Sequence, residues 1–463
     1  MRHFPLLAAT LAALSACTPV PNAEVTKSRP LPGPATDTLT APAFVDPSAQ
    51  LAPVASVGHS NADMSAAFME LGFQLESGRQ LPYFSRFEGP ITVALAGNVP
   101  ASAGADLDRL LNRFRNEAGL NVRRVSAGQP ASVTIEFSPR RELRRAAPNA
   151  ACFVVPNVSS LAEYQANRGT YRVDWTQVRE RKTVGIFAPS DASPQEVRDC
   201  LHEELAQAMG PLNDLYRLTD SVFNDDNFQT VLTGFDMKIL RAWYSPQLKS
   251  GMSRADVAAK IGGIFGAIHG GGSALTTDTS ATSPAWNDTI AVALNPGFGA
   301  GKRKAAAERA ITMAHAQGWR DGRLAFAYFA HARLLVGPDR AAAVAEFNKA
   351  SAIYRGLPGG ALYVAHIDMQ LAAIAVASGQ PDQALRYTDR AIPVIRRAEN
   401  HGLLATTQLI RAQALDQVGR SAEANRLRVD SQALARYGFG SEAQIRARTN
   451  EISALGTRGL FRG

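Results

Sequence analysis

The chain has 463 residues and a formal net charge of +8, a length that suggests two or more domains at roughly 100 to 200 residues each. The positive charge is spread along the chain rather than gathered in a basic block with interleaved aromatics, which argues against nucleic acid as a partner and leaves anionic lipid or an acidic partner open. Beyond the N-terminal segment, no stretch reads as apolar over the roughly 20 residues that a membrane-spanning helix needs.

At the N-terminus, Met1, Arg2 and His3 precede an apolar run from Phe4 to Leu14 and then Leu14-Ser15-Ala16-Cys17. This is the charged start, short apolar core and small-residue cleavage site of a secretory signal. Those last four residues resemble the lipobox of bacterial lipoproteins. The resemblance implies that residues 1–16 are removed, that Cys17 is lipidated, and that the protein is lipid-anchored on the periplasmic side of a bacterial membrane. Thr18, which is not acidic, points to the outer membrane rather than the inner one. An ordinary signal that ends near a cysteine is the alternative. Residues 17–57 are rich in Pro, Ala, Thr and Ser with few large apolar side chains, the composition of a flexible tether. With Cys17 spent on lipid, Cys152 and Cys200 are the cysteines left, and an oxidising compartment makes them a disulfide pair.

Three textures follow. Residues 58–258 mix β-like runs with helices, 259–301 read as a Gly, Ser and Thr-rich linker, and 302–463 are Ala and Arg rich with helical periodicity. In the first stretch a helix is expected near Asn61 to Ser77, a strand over Pro90 to Leu95, and a helix over Ala105 to Ala118 with Leu107, Leu110, Leu111 and Phe114 on one face. Further strands are expected at Asn121 to Val125, Ser132 to Phe137 and Lys182 to Phe187, the last leading into another helix, an order that reads as α+β.

In the last stretch Gly337, Gly379 and Gly419 end one helix of each unit, and Ala343, Ala384 and Ala424 recur in step, each followed by Ala350, Ala391 or Ser431. Small residues at fixed spacing let paired helices pack closely. The segment from Gly379 to Ala391 resembles the second half of a tetratricopeptide repeat, whose helix pairs stack into a solenoid with a concave binding face. About three such units, with a lead helix near Lys304 to Gln317 and a closing helix near Ser441 to Ala454, suffice for a stack. A plain helical bundle is the alternative.

The segment Ser193 to Asp214 carries the residues with chemical promise. Ser193, Pro194 and Glu196 open a helix and Gly210 suits a left-handed exit. Val197, Leu201, Leu205 and Ala208 share one face, while Glu196, Cys200, Glu203 and Gln207 share a polar one. His202-Glu203 does not begin a zinc-binding His-Glu-x-x-His motif, because Ala206 stands where the second histidine belongs. Shifted by one residue, Glu203-Glu204-Leu205-Ala206-Gln207-Ala208-Met209-Gly210-Pro211-Leu212-Asn213-Asp214 resembles the metzincin frame His-Glu-x-x-His-x-x-Gly-x-x-His-Asp, with all three histidines replaced. Ser221-Val222-Phe223-Asn224 resembles a Met-turn with Phe223 in the methionine's place. The same residues, with Leu232, Thr233, Asp236, Tyr244, Pro246, Gly251 and Met252, resemble a family of proteobacterial lipoproteins of unknown function, which implies a location and a fold but no activity.

A catalytic zinc is held by three groups drawn from His, Cys and Asp or Glu. Glu203, Gln207 and Asn213 make a poor zinc site, and calcium wants six or more oxygens. Glu204 stands where the general base belongs, with little to activate unless a metal acidifies water. The polar cluster is expected instead to join a buried hydrogen-bond network in which Gln207 and Asn213 satisfy one another or backbone groups. Gly297-Phe298-Gly299-Ala300-Gly301-Lys302 is a poor phosphate loop, because Arg303 stands where Ser or Thr would hold magnesium. His269 reads as a solvated loop residue, and His315, His331, His366 and His401 are irregularly spaced.

Together these residues describe an envelope lipoprotein with an α+β zincin-like domain whose metal site is lost, followed by an all-α tetratricopeptide-like solenoid. Its expected role is non-catalytic binding or scaffolding, with no cofactor and with a protein or peptide partner on the helical repeats. One rival is a divergent metal-dependent peptidase or hydrolase using Glu204, with a non-standard metal on Glu203, Gln207 and Asn213. Another is that the repeats do all the work and the first domain is a spacer.

Overall fold

The computed structural model describes residues 58–148, 150–270 and 278–460. The signal segment, Cys17 and the tether lie outside the described residues. The first region opens with α1 (Asn61–Phe73), whose N-terminus is closed by a capping box between Ser60 and Asp63. There follow β1 (Ile91–Gly97), α2 (Ala103–Arg113) with a wider final turn over Phe114–Ala118, β2 (Val122–Arg124), β3 (Val133–Ser138) and α3 (Arg140–Ala146). Then come β4 (Phe153–Pro156), α4 (Leu161–Asn167), β5 (Val184–Pro189), α5 (Pro194–Met209), α6 (Gly234–Trp243) and α7 (Arg254–His269).

The five strands form one mixed sheet in the order β2-β1-β3-β5-β4. β1, β2, β3 and β5 run parallel, and β4 lies antiparallel on the edge with Phe153 opposite Phe187. β5 is buried along its whole length, which is why Val184 to Ala188 read as an unbroken small and apolar run. The expected α+β order is thus corrected to an α/β region. Helices α3 and α4 and the short strand β4 lie between strands in sequence, and overlooking them hid the alternation that gives a parallel sheet its crossovers.

Two cores flank this sheet. The larger joins the strands to α1, α2, α5, α6 and α7, with Trp243 packed on Phe68 at 4.7 Å and on Phe84 at 4.9 Å between ring centroids. The smaller gathers Leu143, Phe153, Val155, Leu161, Tyr164 and Phe187 beneath α3 and α4.

The second region is all-helical: α8 (Pro284–Leu294), α9 (Ala300–Ala316), α10 (Gly322–Leu335), α11 (Arg340–Tyr354), α12 (Gly360–Ala377), α13 (Pro381–Arg397), α14 (His401–Gln417), α15 (Ser421–Phe439) and α16 (Glu442–Leu460). Pairs α10/α11, α12/α13 and α14/α15 pack as successive hairpins. Ala343, Ala350, Ala384, Ala391 and Ala424 are fully buried on the second helix of each pair and Ser431 is nearly so, so their small size sets the close approach within each hairpin.

Two expectations need correction. Residues 259–301 are not a linker throughout, because α7 continues to His269 and α8 fills Pro284–Leu294. Val257, Ile261, Ile264 and Phe265 bury one face of α7 against α1 and α6, while Gly262, Gly263 and Gly266 sit where no neighbour approaches. Helix α12 is long and apolar enough to cross a membrane by length and composition, although no such stretch was expected. In this fold it is a central helix whose Leu362, Tyr363, Ile367 and Leu371 are buried against its neighbours.

Candidate functional site

Helix α5 positions the residues that the sequence singles out. Ser193 accepts a hydrogen bond from the Glu196 backbone N–H, and Pro194 occupies the first turn, where a missing N–H costs nothing. Cys200 on α5 is disulfide-bonded to Cys152, the residue just before β4, across 48 residues of sequence. At its far end α5 is closed by a residue that the sequence did not single out. The buried Arg181 guanidinium donates to the carbonyls of Gln207 at 2.6 Å and Ala208 at 2.8 Å and also to that of Gly210, satisfying carbonyls that a helix C-terminus leaves without partners. The Tyr244 hydroxyl donates to the Met209 carbonyl at 3.0 Å.

Gly210 does not leave the helix through the left-handed region, since its φ is −168°. Glycine is needed there for space: a Cβ would lie 2.6 Å from Trp243 Cδ2.

The residues singled out between Glu203 and Asn224 take separate places in the fold. Glu203 lines a small, largely enclosed hollow beside the disulfide with Cys152, Asp199, Val222, Asn227, Gln229 and Thr230. Glu204 and Gln207 are fully buried. Asn213 accepts from the Asp214 N–H at 3.1 Å and donates to the Glu70 carbonyl at 3.3 Å, so it is engaged by backbone and not by Gln207. Gln207 instead donates from Nε2 to Asp214 Oδ2 at 3.5 Å. Phe223 is fully buried in the core. Asn224 donates to the Leu218 carbonyl at 2.8 Å and accepts from the Asp226 N–H. The neighbouring His202 is also structural, its Nδ1 accepting from the Leu232 N–H at 3.2 Å.

Asp236 on α6 organises the turn. It accepts from Ser221 Oγ at 2.5 Å, from the Val222 N–H at 3.2 Å and from the Thr233 N–H at 2.7 Å. Burial pushes its carboxyl up to about 7, against the lowering effect of those hydrogen bonds.

What the fold does assemble is a group of carboxylates. Glu76, in the turn after α1, Asp214, at the exit of α5, and Asp225, in the loop beyond, bring oxygens within 4.8 Å of one another. Burial first, then the charges of Asp225, Glu204 and Asp226, hold the Asp214 carboxyl well above the usual range, with a hydrogen bond to Glu76 acting the other way. The Tyr216 phenol beside them is likewise pushed up, by burial and by Asp225, Asp226, Asp214 and Glu76. Asp226 accepts from the Tyr363 hydroxyl at 2.8 Å, and burial raises its carboxyl to about 8. Sequence reasoning missed Glu76 and Asp225. The adjacent acids Asp225-Asp226 just past Phe223-Asn224 were the one local signal.

The helical region covers this loop. The Phe228 ring packs on Tyr363 and His366, each at 4.4 Å, and on Phe329 at 5.0 Å. Tyr216 sits edge-on to Trp286 at 5.1 Å, and the Thr219 hydroxyl donates to the Pro358 carbonyl at 2.5 Å. Gly322 and Gly359 pass so close to the loop backbone that a Cβ would lie 2.7 Å from the Tyr216 carbonyl and 2.6 Å from that of Thr219. Further along, Gln195 on α5 donates to Asn400 Oδ1 at 3.0 Å and accepts from the Gly402 N–H at 2.7 Å, and the Tyr437 hydroxyl bonds Asp106 at 3.2 Å. The faces of α10 and α12 therefore already hold a ligand, which is a loop of their own chain.

No curated protein and no solved structure matches the chain. Residues 61–262, which contain the whole sheet, the disulfide and every carboxylate of the group around Asp214, match the model of a family described as a protein of unknown function (DUF2927).

Proposed function

We propose that the chain is an envelope lipoprotein, anchored through a lipidated Cys17 on the periplasmic side of the outer membrane, that acts as a non-catalytic binding or scaffold protein. In this reading the first region is a degenerate zincin-like domain and the helical hairpins are tetratricopeptide-like. The observation that carries it is the sealing of the chemical positions: Glu204 and Gln207 are 0 % exposed and Asn213 is 5 % exposed. A general base must come within about 3 Å of the proton it takes, directly or through one water, and a carboxylate enclosed in this way meets no peptide. Three anionic or imidazole ligands with an open fourth position, the minimum for catalytic zinc, are also lacking among Glu203, Gln207 and Asn213. The mixed sheet with the motif-bearing helix packed on it supports the zincin-like part of the reading.

With α10 and α12 given over to the first region, the surface offered to a partner is the outer layer, where Arg386, Arg396 and Arg397 of α13 are exposed, whereas Arg390 of the same helix is paired with the buried Asp368 at 2.6 Å. An acidic protein or peptide segment suits that face.

The test pairs two variants of the full chain in cells. The Glu204→Gln variant should keep its site-specific crosslinks from α13 to a partner, whereas glutamate at Arg386, Arg396 and Arg397 together should abolish them. Hydrolysis of an unstructured protein substrate by the purified chain in the presence of zinc, lost in Glu204→Gln, would overturn the reading. Palmitate labelling that disappears in Cys17→Ala tests the anchor.

A further inference from the structure

We propose that Glu76, Asp214 and Asp225 form a calcium-binding site completed by the amide oxygen of Gln207. The proposal is independent of the scaffold reading. Its geometry is the convergence of three carboxylates from separate segments, with ligand oxygens within 4.8 Å of one another.

A cluster of acids alone is not a site, and a second observation makes the case. Gln207 is fully buried and reaches Asp214 through Nε2, yet its Oε1 has no hydrogen-bond partner among the described residues. Asp214 Oδ1 is a second buried oxygen in the same condition. Buried polar atoms are normally satisfied, so two such oxygens on touching side chains point to a missing electropositive partner. The charges that act most strongly on Asp214 are those of Asp225, Glu204 and Asp226, all acidic, so a cation placed here meets concentrated negative potential.

The donor set selects the metal. All the donors are oxygens, and zinc prefers nitrogen and sulfur. Magnesium demands a tight octahedron and keeps its waters, whereas calcium accepts six to eight oxygens in flexible arrangements. Three carboxylates drawn from two loops and a helix exit, with Glu76 and Asp225 half-buried, leave room for water to complete such a shell. The cation would fasten the turn after α1 to the end of α5 and to the loop that the helical region grips through Phe228 and Asp226.

The experiment uses the soluble chain starting after Cys17, stripped with EDTA and titrated by calorimetry with calcium chloride, magnesium chloride and zinc chloride separately. The expected result is one calcium per chain, magnesium and zinc at least tenfold weaker, and calcium affinity at least tenfold lower in both Glu76→Gln and Asp225→Asn. Circular dichroism in EDTA checks that both variants fold, as removing one of several crowded carboxylates favours. The absence of stoichiometric calcium in the unaltered chain would overturn the proposal. So would calcium binding that survives both substitutions, or that is lost only in Glu203→Gln. None of these outcomes bears on hydrolysis or on partner crosslinks from α13, so the two proposals fail separately.

Discussion

The Tyr363 hydroxyl of α12 donates to Asp226 Oδ2 at 2.8 Å, a hydrogen bond from the helical region into the loop that follows α5. Both residues are buried, so the bond forms where water cannot replace it. Tyr363→Phe leaves the carboxyl without that donor, and a buried group stripped of its partner costs about 1–3 kcal/mol. Urea unfolding followed by tryptophan fluorescence should show that loss. An unchanged midpoint would mean that Asp226 finds another donor and that the bond adds nothing.

Gly210 and Trp243 make the second prediction. A Cβ at Gly210 would meet the indole at 2.6 Å, a contact that forces the ring or the helix end to move. Gly210→Ala should destabilise by about 1–3 kcal/mol, the usual range for overpacking. The smaller ring of Trp243→Phe should return part of that loss in the double variant, so coupling in a double-mutant cycle is the readout.

The disulfide supplies the third. Closing a loop of 48 residues restricts the unfolded chain by about 4 kcal/mol in the chain-entropy account. Reduction with dithiothreitol, or Cys152→Ser with Cys200→Ser, should lower the thermal midpoint without changing the native circular dichroism spectrum. Equal midpoints with and without reductant would contradict it.

Asp236 gives a pH dependence with a definite sign. Its carboxyl is pushed up to about 7 in the fold by burial, against about 4 in an unfolded chain. Between those values the folded chain holds a proton that the unfolded chain has released. Its contribution is therefore fully present below about pH 4 and is lost as the pH rises through about 7. The stability difference between the unaltered chain and Asp236→Asn should move against the unaltered chain over that window and level off by about pH 8. A difference that stays constant from pH 4 to 8 would show that Asp236 is ionised throughout.

Much of the architecture was readable because its signals are local. Ser193, Pro194 and Glu196 announce α5, and the runs at β1, β3 and β5 are β-branched and apolar enough to stand out. Buried alanines recurring at Ala343, Ala384 and Ala424 mark the hairpins. β4 was missed because Phe153 to Pro156 is four residues long and ends in proline. α7 was cut short because three glycines on its open side resemble linker composition, while the apolar spacing that holds it is carried by Val257, Ile261, Ile264 and Phe265. Within the candidate site, the capping and turn residues follow from short-range pattern. Glu76 and Asp225 do not, because only the folded path of the chain brings them to Asp214. The capture of Phe228 by α12 is a long-range relation of the same kind.

The loop from Tyr216 to Phe228 has a consequence for how the protein is made. The N-terminus leads, whether the chain leaves a ribosome or a membrane pore, so the sheet and α5 emerge before α10 and α12 do. Until those helices arrive, Tyr216 and Phe228 belong to an uncovered greasy surface of the sort that recruits chaperones or drives aggregation. A fragment ending near residue 262 should keep that surface permanently and aggregate at concentrations where the full chain stays dispersed, which light scattering on the two side by side would show.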